Sequence, residues 1–141
     1  MTVHEEADRA LFLEGVLFFS GELEPQMTRY FYAERYALRD QDIPGVKAAA
    51  KRMALEKLDV IEGRLSPYYL GARFSFLDLA VTYWVTCLDL FGQDETFLAA
   101  YPKLRRCAEL VKERPKLKPR FDAMPAEFEA YLKRSQPDKG Q

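Results

Sequence analysis

Apolar positions recur at helical spacing along almost the whole chain. Strand-like alternation bounded by hairpin turns is absent, as are Asn-Gly and Asp-Gly pairs. A first helix is expected from Thr2, because Thr2 and Glu5 have the spacing of a capping box. Its apolar face reads Val3, Ala7, Leu11 and Phe18, widened by Leu13, Val16 and Leu17. Ser20-Gly21 marks a weak point, after which the pattern resumes at Leu23, Met27, Tyr30, Phe31 and Tyr36. One long helix, bent or broken near Gly21, accounts for both stretches. Beyond the polar turn Arg39-Asp40-Gln41-Asp42, a second stripe runs Val46, Ala50, Ala54, Leu58, Ile61 and Leu65. The opposite face carries Lys47, Lys51, Arg52, Glu56 and Asp59, which predicts an amphipathic helix stopped by Ser66-Pro67.

The third helix differs in kind. From Phe76 to Phe91 the polar residues are Asp78, Thr82, Thr86 and Asp89 alone. A helix apolar nearly all round is expected to be buried all round, so this one, about 24 Å long, should run through the middle of the domain. A polar loop follows Gly92. Pro102 suits a first helical position, and Leu104, Cys107, Ala108 and Val111 form the stripe of a fourth helix. Pro115 is expected to end it and open a short helix bearing Leu117, Phe121 and Met124, which Pro125 interrupts. Phe128, Tyr131 and Leu132 would anchor a last turn or two. Residues 1–134 thus form one domain, and 135–141, polar with Pro and Gly, a disordered tail.

The start of the third helix is unusually complete. Ser75 and Asp78 stand at N-cap and N3. The Ser75 hydroxyl can accept from the Asp78 backbone N–H, and the Asp78 carboxylate can reach back to the Ser75 N–H. Phe74 and Leu79 occupy the two positions of a hydrophobic staple. A buried helix end cannot leave its N–H groups to water, so its own side chains must satisfy them.

Composition narrows the function classes. At 141 residues, 48% hydrophobic and 30% charged, the chain suits one globular domain with a real core and does not fit disorder. A formal net charge of −1 gives no global pull towards nucleic acid or acidic membranes. Cys87, Cys107 and His4 are too few ligands for a structural zinc site, so no metal is expected. The opening Met1–Glu6 is acidic and lacks the apolar core of a secretion signal, and no stretch has the apolar length of a membrane span. The expected compartment is the cytoplasm, with no disulfide framework.

Leu70-Gly71, the Ser75 and Asp78 cap on a buried helix, then Tyr101-Pro102 with Leu104 and finally Arg114-Pro115 form a pattern that resembles the C-terminal domain of cytosolic glutathione transferases. Phe18-Phe19 and Leu23-Glu24-Pro25 extend the resemblance upstream, so that it spans residues 5–124. One position departs: many members carry Trp three residues after the leucine of the Tyr-Pro motif, and Cys107 stands there. The resemblance implies an all-α bundle of five to six helices around a buried central helix. It also implies that the glutathione site belongs to a thioredoxin-like N-terminal domain, whose βαβ-ββα pattern does not precede Thr2. No catalytic residue and no cofactor are therefore expected here; glutathione would enter only with a thioredoxin-like domain.

Individual residues have bland readings beside the sharp ones. Ser75 and Asp78 read as a cap rather than a catalytic pair, because every neighbour fits the cap. Cys87 reads as core. Cys107 follows Arg105-Arg106, which would favour a thiolate, but its place on the stripe with Leu104 and Val111 argues for core. His4 is expected in an exposed first turn. Trp84 reads as core or pocket wall. The aromatic group Phe18, Phe19, Tyr30, Phe31, Tyr32 and Tyr36 is either core packing or, by the resemblance, part of an acceptor pocket and a dimer contact. The candidates for an apolar pocket or interface are Phe18, Phe19, Met27, Tyr30, Tyr32 and Trp84.

Charge is unevenly spread: eight basic residues face two acidic ones between Lys103 and Arg120, and six acidic residues face Arg9 alone up to Glu24. A solvated face explains this better than a nucleic-acid patch, since no binding motif accompanies it. The expected function is a stand-alone binding, dimerisation or assembly module. It would pair as a homodimer or with a protein partner such as a thioredoxin-like domain. The alternative is a truncated or split transferase whose other half is supplied elsewhere.

Overall fold

The computed structural model describes residues 3–91 and 97–135. Thr2 of the capping pair, the His4 side chain, residues 92–96 of the loop after α4 and residues 136–141 of the expected tail lie outside the described residues, whereas Ser135, expected in the tail, closes the last helix. Among these, six α-helices follow in order: α1 Val3–Phe18, α2 Glu24–Phe31, α3 Ile43–Arg64, α4 Phe76–Phe91, α5 Pro102–Lys112 and α6 Lys118–Ser135. A π-helical turn, Phe19–Leu23, joins α1 to α2, so the long broken helix is continuous, with its irregularity centred on Gly21. The Ser20 hydroxyl donates to the Val16 carbonyl at 2.8 Å, and Pro25, which cannot donate, falls at the start of α2. The fold is all-α: no strand forms among the described residues, only isolated bridges in the turn between α3 and α4. Gly71, with φ 74°, sits in that turn in the left-handed region that favours glycine.

The core runs along α4. Leu77, Val81, Val85 and Leu88 meet Leu58 and Ile61 of α3 and Leu104, Cys107 and Val111 of α5 in one cluster. The buried polar residues of α4 are satisfied locally: Thr82 and Thr86 donate to the carbonyls of Asp78 and Thr82 at 2.8 and 2.7 Å. At its N-terminus, α5 has no capping side chain of its own. Glu62 of α3 accepts from the backbone of Lys103 and Leu104 instead, at 2.9 Å each.

Four sequence expectations are corrected. First, the inward face of α1 is Phe12, Gly15 and Val16, continued by Phe19 of the π-helical turn, whereas Ala7, Leu11, Leu13 and Leu17 are exposed; with apolar residues on several sides, periodicity admitted a rotated choice. Second, Pro125 does not interrupt: α6 continues through it to Ser135, since one missing N–H is tolerable where the flanking turns hold. Third, Tyr131 and Leu132 are exposed and anchor nothing in this chain; Phe128 alone packs inward, its ring 4.7 Å from that of Phe91. Fourth, α4 is not buried all round, for Phe76 is 61% and Tyr83 49% exposed. No described element covers that side.

Candidate functional site

The N-terminus of α4 is anchored by Asp78, which is fully buried. Its carboxylate accepts the Ser75 N–H at 2.7 Å through one oxygen and the Tyr69 N–H at 2.7 Å through the other. The Ser75 hydroxyl accepts from Leu77, at 3.2 Å, rather than from Asp78, whose N–H goes to the Ser75 carbonyl. Phe74 packs edge-on to Tyr68, with the Arg114 guanidinium 4.0 Å above its ring. Phe74 and Leu79 are both half-buried.

Where α1 crosses α4 the two come very close. A Cβ on Gly15 would stand 2.6 Å from Cδ1 of Leu77 and 3.0 Å from Cε1 of Tyr69. Beside this crossing a groove of about 410 Å³ opens, walled by Val16, Phe19, Ser20 and Glu24 on one side. Phe76, Leu77, Leu79, Ala80, Tyr83 and Trp84 of α4 form the other side. A second, wider groove of about 830 Å³ is lined by Phe74, Phe76, Leu79, Arg114, Pro115, Lys116 and Leu117. The two share Phe76 and Leu79, so one apolar face extends from Glu24 at one end to Arg114 and Lys116 at the other.

The sequence candidates separate here. Phe19 and Trp84 border the first groove, and Phe18 packs edge-on against Phe19 at 6.5 Å. Met27 and Tyr30 lie in the core, 0% and 3% exposed, so neither presents surface for a contact. Tyr32 is partly exposed just past the end of α2 with the Arg35 guanidinium 4.4 Å over its ring, and is not among the residues that line the groove. Sequence reasoning missed Phe76, Ala80 and Tyr83. Their spacing places them on one side of α4, but a helix apolar all round gives no sign of which side stays open.

The groove offers surface rather than reactive groups. Burial, then the charge of the neighbouring Cys87 thiolate and the hydrogen bond to it, pushes the Tyr83 phenol up to about 12, so it stays neutral. Burial, followed by the Asp78 charge, pushes the Cys107 thiol up to about 12, and burial raises Cys87 also. Neither thiol is a nucleophile near neutral pH. Glutathione carries two carboxylates and an ammonium, while the polar groups of the narrower groove are Ser20, Glu24 and the Tyr83 hydroxyl. That set does not fit the tripeptide. Among the described residues no group of Cys, His, Asp and Glu could hold a metal ion, and no helix is long and apolar enough to cross a membrane.

Comparison with known proteins agrees with this architecture. The family model described as glutathione S-transferase, C-terminal domain, matches residues 33–106, which include α3, α4 and the Tyr101-Pro102 start of α5. Among solved structures, a glutathione transferase homologue from Sulfitobacter, crystallised with bound glutathione, is 20% identical and superposes with a TM-score of 0.68. The match covers 84% of this chain and 56% of that one, so the chain spans little more than half the length of its structural relative. No curated protein matches. With more than half its length matched by the family model, the chain belongs to the glutathione S-transferase C-terminal domain family.

Proposed function

We propose that these 141 residues act as a binding and assembly module, with no glutathione site of their own, and that the face formed by α1 and α4 is the docking surface. One observation carries the reading: a continuous apolar groove along α4, with Phe76 61% exposed, lies uncovered beside a well-packed core. Contiguous exposed apolar surface of this kind is uncommon on a monomer and marks interaction sites. The partner is a second copy or another protein, a thioredoxin-like domain included, met in the cytoplasm.

The second reading is a transferase whose thioredoxin-like half is supplied elsewhere. It is favoured by the Sulfitobacter homologue, which holds glutathione and of which this chain matches 56%. Under that reading the apolar wall would contact a co-substrate. A wall that binds substrate and transition state alike raises no chemical rate, so the chain alone should be inactive.

Turnover of a chromogenic aromatic electrophile with glutathione separates the readings. The chain alone should match a boiled control, and an apolar fluorescent dye should bind it and be lost in Phe76→Glu. Turnover by the chain alone, abolished by one substitution, would overturn the module reading. Turnover that requires an added thioredoxin-like domain would establish the split enzyme.

A further inference from the structure

We infer that the outer half of α6, from Pro125 to Ser135, is an arm that hinges at Pro125 and, through Phe128, opens and closes the end of the α4 groove beyond Trp84. The inference takes that groove as the docking surface and adds what sets its length. The two halves of α6 are held unlike. The inner half is fixed to the bundle: Phe121 is buried, and Met124 packs on the core beside Leu117. From Pro125 to Ser135, Phe128 is the one residue that is not exposed. Pro125 stands where the halves meet, inside the helix. It has no N–H to give to the Phe121 carbonyl, and its ring crowds that carbonyl, so the helix runs through it but bends there more readily than elsewhere. Arg120 and Glu127 form an ion pair across the proline at 2.5 Å, and both side chains are more than half exposed. An exposed pair of this kind is a weak strut.

What the arm touches gives its motion a consequence. The Phe128 ring meets that of Phe91 edge-on at 4.7 Å, Phe91 lies 4.7 Å from Phe31, and Phe31 stacks on Trp84 at 6.2 Å with 9° between the planes. Trp84 lines the groove. Phe91 follows seven residues later, about 10 Å further along the same side of α4. Phe31 and Phe91 therefore form the end wall of the groove, and Phe128 backs that wall from the arm. With the arm down, the row of rings is packed and the groove stops at Trp84. With the arm lifted, Phe91 loses its backing ring and the apolar side of α4 opens towards the C-terminal end of the helix. One ring contact and one exposed ion pair hold the arm among the described residues, so both positions lie within thermal reach. An apolar segment too long for the resting groove favours the lifted position, because only there does it gain the added surface.

Trp84 is the single tryptophan of the chain, so its fluorescence reports on the end wall directly. Amide exchange of the 141-residue chain should show a step at Pro125, with residues 126–135 exchanging as one fast unit while 120–124 stay protected. A gradual rise towards Ser135 is ordinary fraying and would overturn the hinge. Pro125→Ala restores the missing helix bond and should slow exchange just beyond residue 125 about tenfold or more. It should also lower acrylamide quenching of Trp84. Phe128→Ala should raise that quenching and shift the emission, whereas Tyr131→Ala, exposed on the same arm, should change neither. A step that survives Pro125→Ala, or a folded Phe128→Ala chain with wild-type emission and quenching, would overturn the inference. Should Phe128→Ala fail to fold, the Trp84 response to Pro125→Ala decides. Dye binding tests the docking reading separately: a wild type with the exchange step and both Trp84 responses that binds no apolar dye would sink that reading and leave the hinged arm standing.

Discussion

The Asp78 carboxylate accepts the backbone N–H of Tyr69 at 2.7 Å, from a residue outside its own helix. With the Ser75 N–H on its other oxygen, this one side chain ties the turn after α3 to the start of α4. Asp78→Ala would leave buried amides without acceptors and should cost about 2–4 kcal/mol. Glu129→Ala, at an exposed helical ion pair, should stay within about 0.5 kcal/mol of wild type. Denaturant melts decide it, and equal midpoints for the two variants would refute the role given to Asp78.

Gly15 marks the closest approach of α1 and α4. An added methyl meets Leu77, which is fully buried and has little room to move. Gly15→Ala should therefore destabilise by about 1–2 kcal/mol, overpacking outweighing the better helix propensity of alanine. Gly63, also helical, has nothing within 4 Å of a Cβ. There the same substitution should stabilise by roughly 0.5 kcal/mol. Melting both variants side by side tests the sign reversal; two stabilised proteins would show that the crossing is loose.

Glu62 caps a helix it does not belong to. Glu62→Ala should lower stability by about 1–2 kcal/mol, because the Lys103 and Leu104 amides lose their acceptor. Glu62→Gln keeps one acceptor oxygen and should recover roughly half. Chemical denaturation of the three proteins gives the order; an alanine variant as stable as wild type would mean that water replaces the carboxylate without loss.

The two thiols should be silent in the native state. Burial raises both, Cys107 to about 12, so a thiol reagent at mildly alkaline pH should label neither until the chain is unfolded in denaturant. A raised acid favours the native state while protonated. Its contribution is complete below pH 9, the ordinary value for this thiol, and is lost as pH rises towards about 12. Tyr83 acts the same way between 10 and about 12. Urea midpoints should thus fall steeply above pH 9, and less steeply in Cys107→Ala; a flat profile would contradict the burial of these groups.

Much of this protein was legible from residue order alone, because much of it is local. The start of α4 at Phe76 follows from the cap just before it. The stripe Ala50, Ala54, Leu58 and Ile61 faces inward because helical spacing stacks residues four apart on one side. The family resemblance was readable for the same reason, resting on capping and proline residues whose effects act within a few positions. Tertiary packing decided everything that depends on what lies opposite. Leu11, Leu13 and Leu17 face outward while Gly15 faces in, since only a residue without a side chain admits the close crossing on Leu77. Asp78 reaches Tyr69, and Glu62 reaches Leu104, across gaps in sequence that no spacing rule connects. The open face of α4 belongs to this second class. Phe76 and Tyr83 carry no mark in the sequence that sets them apart from their buried neighbours, and only the placement of α1, α3 and α5 around the helix leaves that one side open.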